Sequence, residues 1–340
     1  MTEPLMLLVG LALLALIGWP RVGLWRRWGE ARRLAVRAER EDALKHILKC
    51  EANGQSATVL SVAGALRLRD NAAAGLLRDL EAHGLISFEA GRLTLLRAGR
   101  ELGLHVVRAH RLWESHLAEE TGVAEARWHH LAERQEHLLS PEATAALAAR
   151  LGHPLVDPHG DTIPDTDGGL PADAGQSVNT IAPDQPCTIV HIEDEPETVY
   201  AELLRLGLRP GMRAYVMHKT PEKLRLWADG REFELVPSMA QQLSVVPLPE
   251  VTTGLLRQER FLHELPVGRL GRVLGLSSAC RGAERRRLLD LGFVPGSVVE
   301  VRLASPAGDP TAYLVRGALI ALRRAQARFI RIAPAPEVAA

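Results

Sequence analysis

The chain has 340 residues, 46% of them hydrophobic, with Lys+Arg and Asp+Glu balanced at 41 each; this excludes a disordered protein and leaves overall charge silent about a nucleic-acid partner. Three cysteines, Cys50, Cys187 and Cys280, stand far apart with no CxxC pair, which excludes a disulfide framework and a thiolate zinc site and fits a reducing compartment. No HExxH, nucleophile elbow or P-loop is present, so a metal-dependent hydrolase has little ground and no enzyme is expected.

In chain order, Leu5 to Trp19 (LMLLVGLALLALIGW) is uncharged and precedes RVGLWRRWGEARRLAVRAER, which holds seven arginines against two glutamates. Such a run spans about 23 Å as a helix against a hydrocarbon core of roughly 30 Å. A transmembrane reading therefore needs Arg21 to snorkel and Leu24–Trp25 to extend the segment. A secretory signal peptide fits less well, because MTEP carries Glu3 and no basic residue and no A-x-A site precedes the arginines. The expectation is an N-terminal transmembrane helix over residues 1–25 and a basic juxtamembrane segment over 26–40. By the positive-inside rule the chain would be single-pass in the inner (cytoplasmic) membrane, with its C-terminus in the cytoplasm.

Residues 41–99 read as a small helical domain. EDALKHILKCEANG places Leu44, Ile47 and Leu48 on one face and ends at Asn53-Gly54, a C-cap signal. SATVLSVAGALRL and RDNAAAGLLRDLEAHGL give two more helices, and ISFEAGRLTLL alternates around Ala90-Gly91 like a two-stranded wing. That order is a winged helix-turn-helix, with a generic helical bundle as its rival. On the third helix and its approach, Arg67, Arg69, Asn71 and Arg78 are the candidates for DNA contact. The start of that helix, DNAAAG, is poor in base-reading side chains. Residues 41–100 carry a net charge of only about +1, thin for neutralising several phosphates.

A second helical region, 100–165, holds two His/Glu faces. In HRLWESH, His110 and Glu114 stand one turn apart. In WHHLAERQEHLLSPE, His129, Glu133, Glu136 and His137 fall within an arc of about 100° on a helix. Nitrogen and carboxylate donors without thiolate suit Mn(II), Fe(II) or Zn(II), and the donor set does not choose among them.

The order winged helix, HRLWE, HHLAERQEHLLSPE and LGHPLVDPHGDTIP, over residues 41–165, resembles the iron- and manganese-dependent repressors of the diphtheria toxin repressor family. The resemblance implies a homodimer in which metal, bound between DNA-binding and dimerisation domains, sets the spacing of two winged helices on an operator. It makes Asp42, Glu133, Glu136 and His137 the regulatory site and His110, Glu114 and His129 an ancillary one. Oxygen donors at 42 and 133, where iron-type members carry sulfur, favour Mn(II) or Fe(II) over softer ions. Lys45 departs from the manganese-type pattern, which has another carboxylate there.

A Gly/Pro/Asp-rich linker follows at 166–176. Beyond it LLRLGLRPGMRAYV (203–216) is echoed by LLDLGFVPGSVVEV (288–301), each leading to a final strand, LSVVPL or FIRIAP. These repeats resemble two small SH3-like β-barrels of the ferrous-iron-transport accessory (FeoA) type, at 177–248 and 261–333, the second being the better match. Such modules serve packing or partner contact, and in some iron-type repressors they lend ligands to the ancillary site. Here HIEDEPE (191–197) is the nearest acidic stretch, with no one residue singled out. The expected whole is a mainly α N-terminal half followed by two β-barrels, acting as a membrane-anchored Mn(II)/Fe(II)-dependent repressor of metal-uptake genes. The alternative is a membrane-bound metal sensor or adaptor for a ferrous-iron or manganese transporter, with DNA binding lost.

Overall fold

The computed structural model describes residues 24–89, 92–165, 175–249, 254, 256 and 259–334. They fold as two compact units, one within Met1–Trp113, His130–Arg150 and Ile163–Pro171, the other within Glu114–His129, Leu151–Thr162 and Ala172–Ala340.

The first unit begins with α1 (Leu24–Ala52). Its C-terminal half buries Leu44, Ile47 and Leu48, as the spacing predicts, and it stops at Asn53-Gly54, where Gly54 adopts φ +67°. The arginine-rich stretch set apart as juxtamembrane is the N-terminal part of this same helix, because Ala, Leu, Arg and Glu all favour helix and no proline interrupts them. The expected transmembrane helix is corrected: no helix among the described residues is long and apolar enough to cross a membrane. Residues 1–23, on which most of that expectation falls, lie outside the described residues, and the single-pass inner-membrane placement falls with it.

Helix α2 (Val59–Ala65) starts on a capping box in which Thr58 Oγ1 accepts from the Ser61 amide and Ser61 Oγ from the Thr58 amide. Helix α3 (Asp70–Ala82) is tied to α1 by Arg40 Nε to Asp79 Oδ2 at 2.6 Å. Strands β1 (Ile86–Glu89) and β2 (Arg92–Leu95) pair antiparallel, Ile86 opposite Leu95. Leu44, Ile47, Val62, Leu77, Leu80, Ile86 and Leu93 form the shared core. This is a winged helix-turn-helix arrangement. Helix α4 (Arg97–Glu120) follows; a Cβ on its Gly99 would come within 2.0 Å of the Leu85 carbonyl oxygen, so the helix lies where only glycine fits. Helices α5 (Trp128–Glu136) and α6 (Pro141–Arg150) complete the helical part.

The second unit holds two six-stranded antiparallel sheets. The first runs β3-β8-β4-β5-β6-β7, comprising β3 (Gln176–Ser177), β4 (Pro186–Ile192), β5 (Arg213–Lys219), β6 (Leu224–Ala228), β7 (Arg231–Leu235) and β8 (Leu243–Pro247). Helix α7 (Glu197–Leu206) joins β4 to β5, and a short α8 (Pro237–Ala240) precedes β8. The second sheet repeats this strand for strand: β9 (Arg260–Phe261), β10 (Leu270–Leu276), β11 (Val298–Ala304), β12 (Thr311–Val315), β13 (Ala318–Leu322) and β14 (Ile330–Pro334), in the order β13-β12-β11-β10-β14-β9. Its helices are α9 (Gly282–Asp290) and α10 (Arg324–Ala327). Bulges at Ile189/His191 and Val216/His218, and at Val273/Gly275 and Val301/Leu303, let each sheet bend around its core. The two sheets are fastened by polar contacts: Arg213 bonds Glu259, Arg331 Nη1 lies 3.6 Å from Glu259 Oε2, and Ser277 Oγ donates to Asp229 Oδ2 at 2.7 Å.

Leu203 of α7 is fully buried in the first sheet's core, whereas Leu60 of α2 is 69% exposed. Urea unfolding of Leu203→Ala should show a loss of about 2–5 kcal/mol, and Leu60→Ala a change within about 0.5 kcal/mol. A Leu203→Ala loss no larger than that of Leu60→Ala would overturn the assignment of that core.

Candidate metal centres

In the first unit, α1 and α5 bring Asp42, Glu136 and His137 together, each offering a ligand atom within 4.8 Å of the others. His137 Nε2 lies 3.3 Å from Asp42 Oδ1 and 3.7 Å from Glu136 Oε1. The opposite ring nitrogen, Nδ1, donates to Glu41 Oε2 at 2.8 Å, and Glu41 is steadied by Arg37 Nε at 2.6 Å. A buried carboxylate behind an imidazole fixes its orientation and aims the other nitrogen at an ion. Hard oxygen and nitrogen donors of this kind fit Mn(II) or Fe(II). Glu133 is not part of the group. Although helical spacing puts it on the same arc, its side chain is half exposed and lies 3.8 Å from His130.

Two nitrogen donors surround Glu136, which is 1% exposed. His110, expected at the ancillary site, bonds Glu136 Oε2 through Nδ1, and Lys45 Nζ reaches both carboxylate oxygens at 3.1 and 3.2 Å. Burial opposes the charge of Glu136, but the bonds from His110 and the nearby Lys45 ammonium outweigh it and hold its pKa below the usual range. Burial likewise works against protonated His137, yet Asp42 and Glu41 prevail and lift it to about 9.

A second cluster lies wholly in the second unit. Glu114, Asp157 and His159, all buried, place ligand atoms within 4.8 Å of one another. His159 Nδ1 is 3.3 Å from Glu114 Oε2, and His129 Nδ1 is 3.5 Å from Glu114 Oε1 and 2.9 Å from Asp194 Oδ2. The DPHGD turn sets this up: Asp157 Oδ1 accepts the amides of His159 and Asp161 at 2.8 and 2.9 Å, and Ile192 of β4 donates to the His159 carbonyl at 2.9 Å. Gly160 makes the close approach possible, with φ +97° and space for a Cβ only 1.9 Å from the Val190 carbonyl oxygen. Burial disfavours the His159 cation, but Glu114 raises it to about 9; Asp194, despite burial, is held well below the usual carboxylate range by His129. Asp157, His159 and Asp194 are the residues that the sequence reading missed. DPHGDTIP was seen only as a signature, and HIEDEPE offered an acidic run without a geometry.

The candidate DNA-contacting side chains, Arg67, Arg69, Asn71 and Arg78, are all exposed around α3. Arg67 takes φ +53° in the turn between α2 and α3, and Arg69 is the N-cap position of α3 with no side-chain capping bond.

Residues 97–165 match the family model described as iron dependent repressor, metal binding and dimerisation domain, and residues 261–334 match the FeoA domain. A probable metal transport system membrane protein of Chlamydia trachomatis serovar D is 38% identical over 81 residues, 24% of this chain. The match spans only 18% of that protein. Among solved structures, a manganese-dependent transcriptional repressor in complex with manganese is 26% identical, with TM-score 0.55, over 61% of this chain and 100% of that one. The IdeR of T. acidophilum shares the fold at 24% identity and TM-score 0.50, over 61% of this chain and 97% of that one.

Two pH effects follow for the metal-free protein. His137 and His159 titrate near 9 when folded and near 6.5 when unfolded, so their stabilisation is complete below about pH 6.5 and is lost as pH rises through about 9. Metal must displace these protons, so Mn(II) affinity should climb over the same window. Calorimetric titrations at pH 6.5 and 8.5, with metal-free melting curves at both, check this; affinity independent of pH would contradict it.

Proposed function

We propose that this chain, which carries the metal-binding and dimerisation domain of the iron-dependent repressors and a FeoA domain, is a transcriptional repressor of metal-uptake genes. It is a regulator and not an enzyme, it depends on Mn(II) or Fe(II), and it acts on DNA as a homodimer. The observation that supports this best is the convergence of Asp42, Glu136 and His137 beside a winged helix, in a chain with 26% identity to a manganese-bound repressor.

In this reading Asp42 belongs to the helix that supports α3, while Glu136 and His137 belong to α5. Asp42, Glu136 and His137 would hold a divalent ion, which would supply the positive charge that their two carboxylates and imidazole share. Glu41 keeps the His137 ring facing them, and α1 is thereby fixed against α5, which sets where α3 points. Glu133, as carried over from the family, would complete the set only by turning from His130. Glu114, His129, Asp157, His159 and Asp194 would hold the ancillary ion, and His110, the turn before Glu114 on α4, bonds Glu136 through Nδ1 while keeping the ancillary role that the resemblance gives it. With so few base-reading side chains on α3, affinity rests on phosphate contacts and DNA shape and falls steeply with salt.

A second reading has one observation in its favour, the match to a probable metal transport system membrane protein. In it the chain senses metal for a ferrous-iron or manganese transporter and contacts that transporter through its FeoA-like sheets.

Gel-shift and footprinting with the chain's own upstream DNA, with and without Mn(II) and at two salt concentrations, decide between them. A Mn(II)-dependent footprint lost in Glu136→Ala and His137→Ala supports the repressor. Arg67→Ala and Arg69→Ala should weaken all sequences about equally and lower the salt slope by about 1 each, whereas Asn71→Ala should change sequence preference. A chain that protects no site under any condition and co-purifies with a transporter belongs to the second reading.

A further inference from the structure

The first metal centre contains a cation of its own. Lys45 Nζ lies 3.1 and 3.2 Å from the two oxygens of Glu136 and 3.4 Å from His110 Nδ1, one turn along α1 from Asp42 and Glu41. Its side chain is 28% exposed while that of Glu136 is 1% exposed, so the ammonium covers the mouth of a buried carboxylate. Glu136 is also one of the three residues whose donor atoms converge for a metal. Both of its oxygens are therefore already engaged by a positive charge where a divalent ion would take at least one of them.

We infer that Lys45 is a tethered counter-cation of this centre, which competes with metal for Glu136 and restricts the site to a single ion. The inference rests on the reading of Asp42, Glu136 and His137 as metal ligands. In the metal-free chain the ammonium neutralises Glu136, so α1 and α5 stay joined without metal. When metal takes the Glu136 oxygens, Lys45 has to swing away, because an ammonium and a divalent cation on one carboxylate repel each other. Its partial exposure gives the long stem water to swing into. A second ion on the other side of Glu136 is excluded for the same reason: Nζ already stands 3.1 and 3.2 Å from its two oxygens, beside the His110 contact. The consequence is a centre whose threshold for metal is raised by the chain itself.

The test uses the full chain with Glu114→Gln and His159→Gln, which silence the second cluster, and MnCl2 as the only titrant. Lys45→Met should raise Mn(II) affinity on the order of tenfold or more and lower the melting temperature of the metal-free protein. Lys45→Glu should bind one more Mn(II) per chain than Lys45→Met. Folded Lys45→Met with unchanged or weaker affinity would overturn the competition, and an unchanged ion count in Lys45→Glu would overturn the single-ion restriction. If Lys45→Met does not fold, Lys45→Arg decides, since it keeps the charge and should bind Mn(II) no more tightly than the parent; tighter binding sinks the inference. His137→Ala in the same background separates the two levels: undiminished Mn(II) binding there refutes the ligand assignment itself, whatever Lys45 does.

Discussion

A carboxylate sealed from water must be met by positive charge, and Glu136 is such a group. Its partners come from different elements, Lys45 from α1 and His110 from α4, while Glu136 itself sits on α5. One buried charge thus draws three helices to a point. Stripping away a partner would leave that charge uncompensated, at a cost of about 3–5 kcal/mol, which explains why the arrangement is held so tightly before any ion arrives. Glu114 imposes the same condition in the second unit, where it is 1% exposed and is answered by His129 and His159. Both clusters are built as buried glutamates answered by histidines.

Local pattern made much of this legible. Leu44, Ile47 and Leu48 announced the buried face of α1, Asn53-Gly54 its end, and the alternation around Ala90-Gly91 the pairing of β1 with β2. The repeat of Leu-Gly-x-x-Pro-Gly located both six-stranded sheets. Helical arcs were less informative at the metal centres. Glu133 and Glu136 share an arc, yet one side chain turns outward to His130 while the other is buried. An arc gives direction around a helix axis but says nothing about which turn lies under a neighbour. The bond from His110 Nδ1 to Glu136 was hidden for the same reason, since it depends on the position of α5. Asp194 follows β4 in a corner crowded with Glu193, Glu195 and Glu197, and only the path of that corner past His129 distinguishes it. At the N-terminus hydropathy suggested a span, but the helix that is described carries the arginines onward into the winged helix without a break.

The functional reading joins a weak feature to a strong one. Helix α3 has little with which to read bases, and the domain around it is nearly neutral. The candidate metal centre is by contrast well furnished, with an imidazole, two carboxylates, a carboxylate behind the ring and a lysine in attendance.

The two sheets are copies with different duties. The corner after β4 supplies Asp194 to the second metal cluster, and the matching corner after β10 has Ala279 at the same distance ahead of the repeated Leu-Leu. The second copy has no acid to give there. It offers instead Ser277 to Asp229 and Glu259 to Arg213, polar groups that the first copy has turned inward. Excising the second copy would therefore remove no ligand from the chain. It would take away Arg281, whose Nη2 donates to the Pro158 carbonyl at 3.0 Å in the turn that carries Asp157 and His159, so the ancillary centre would lose its footing while keeping every donor atom, much as an arch fails at its buttress and not at its keystone.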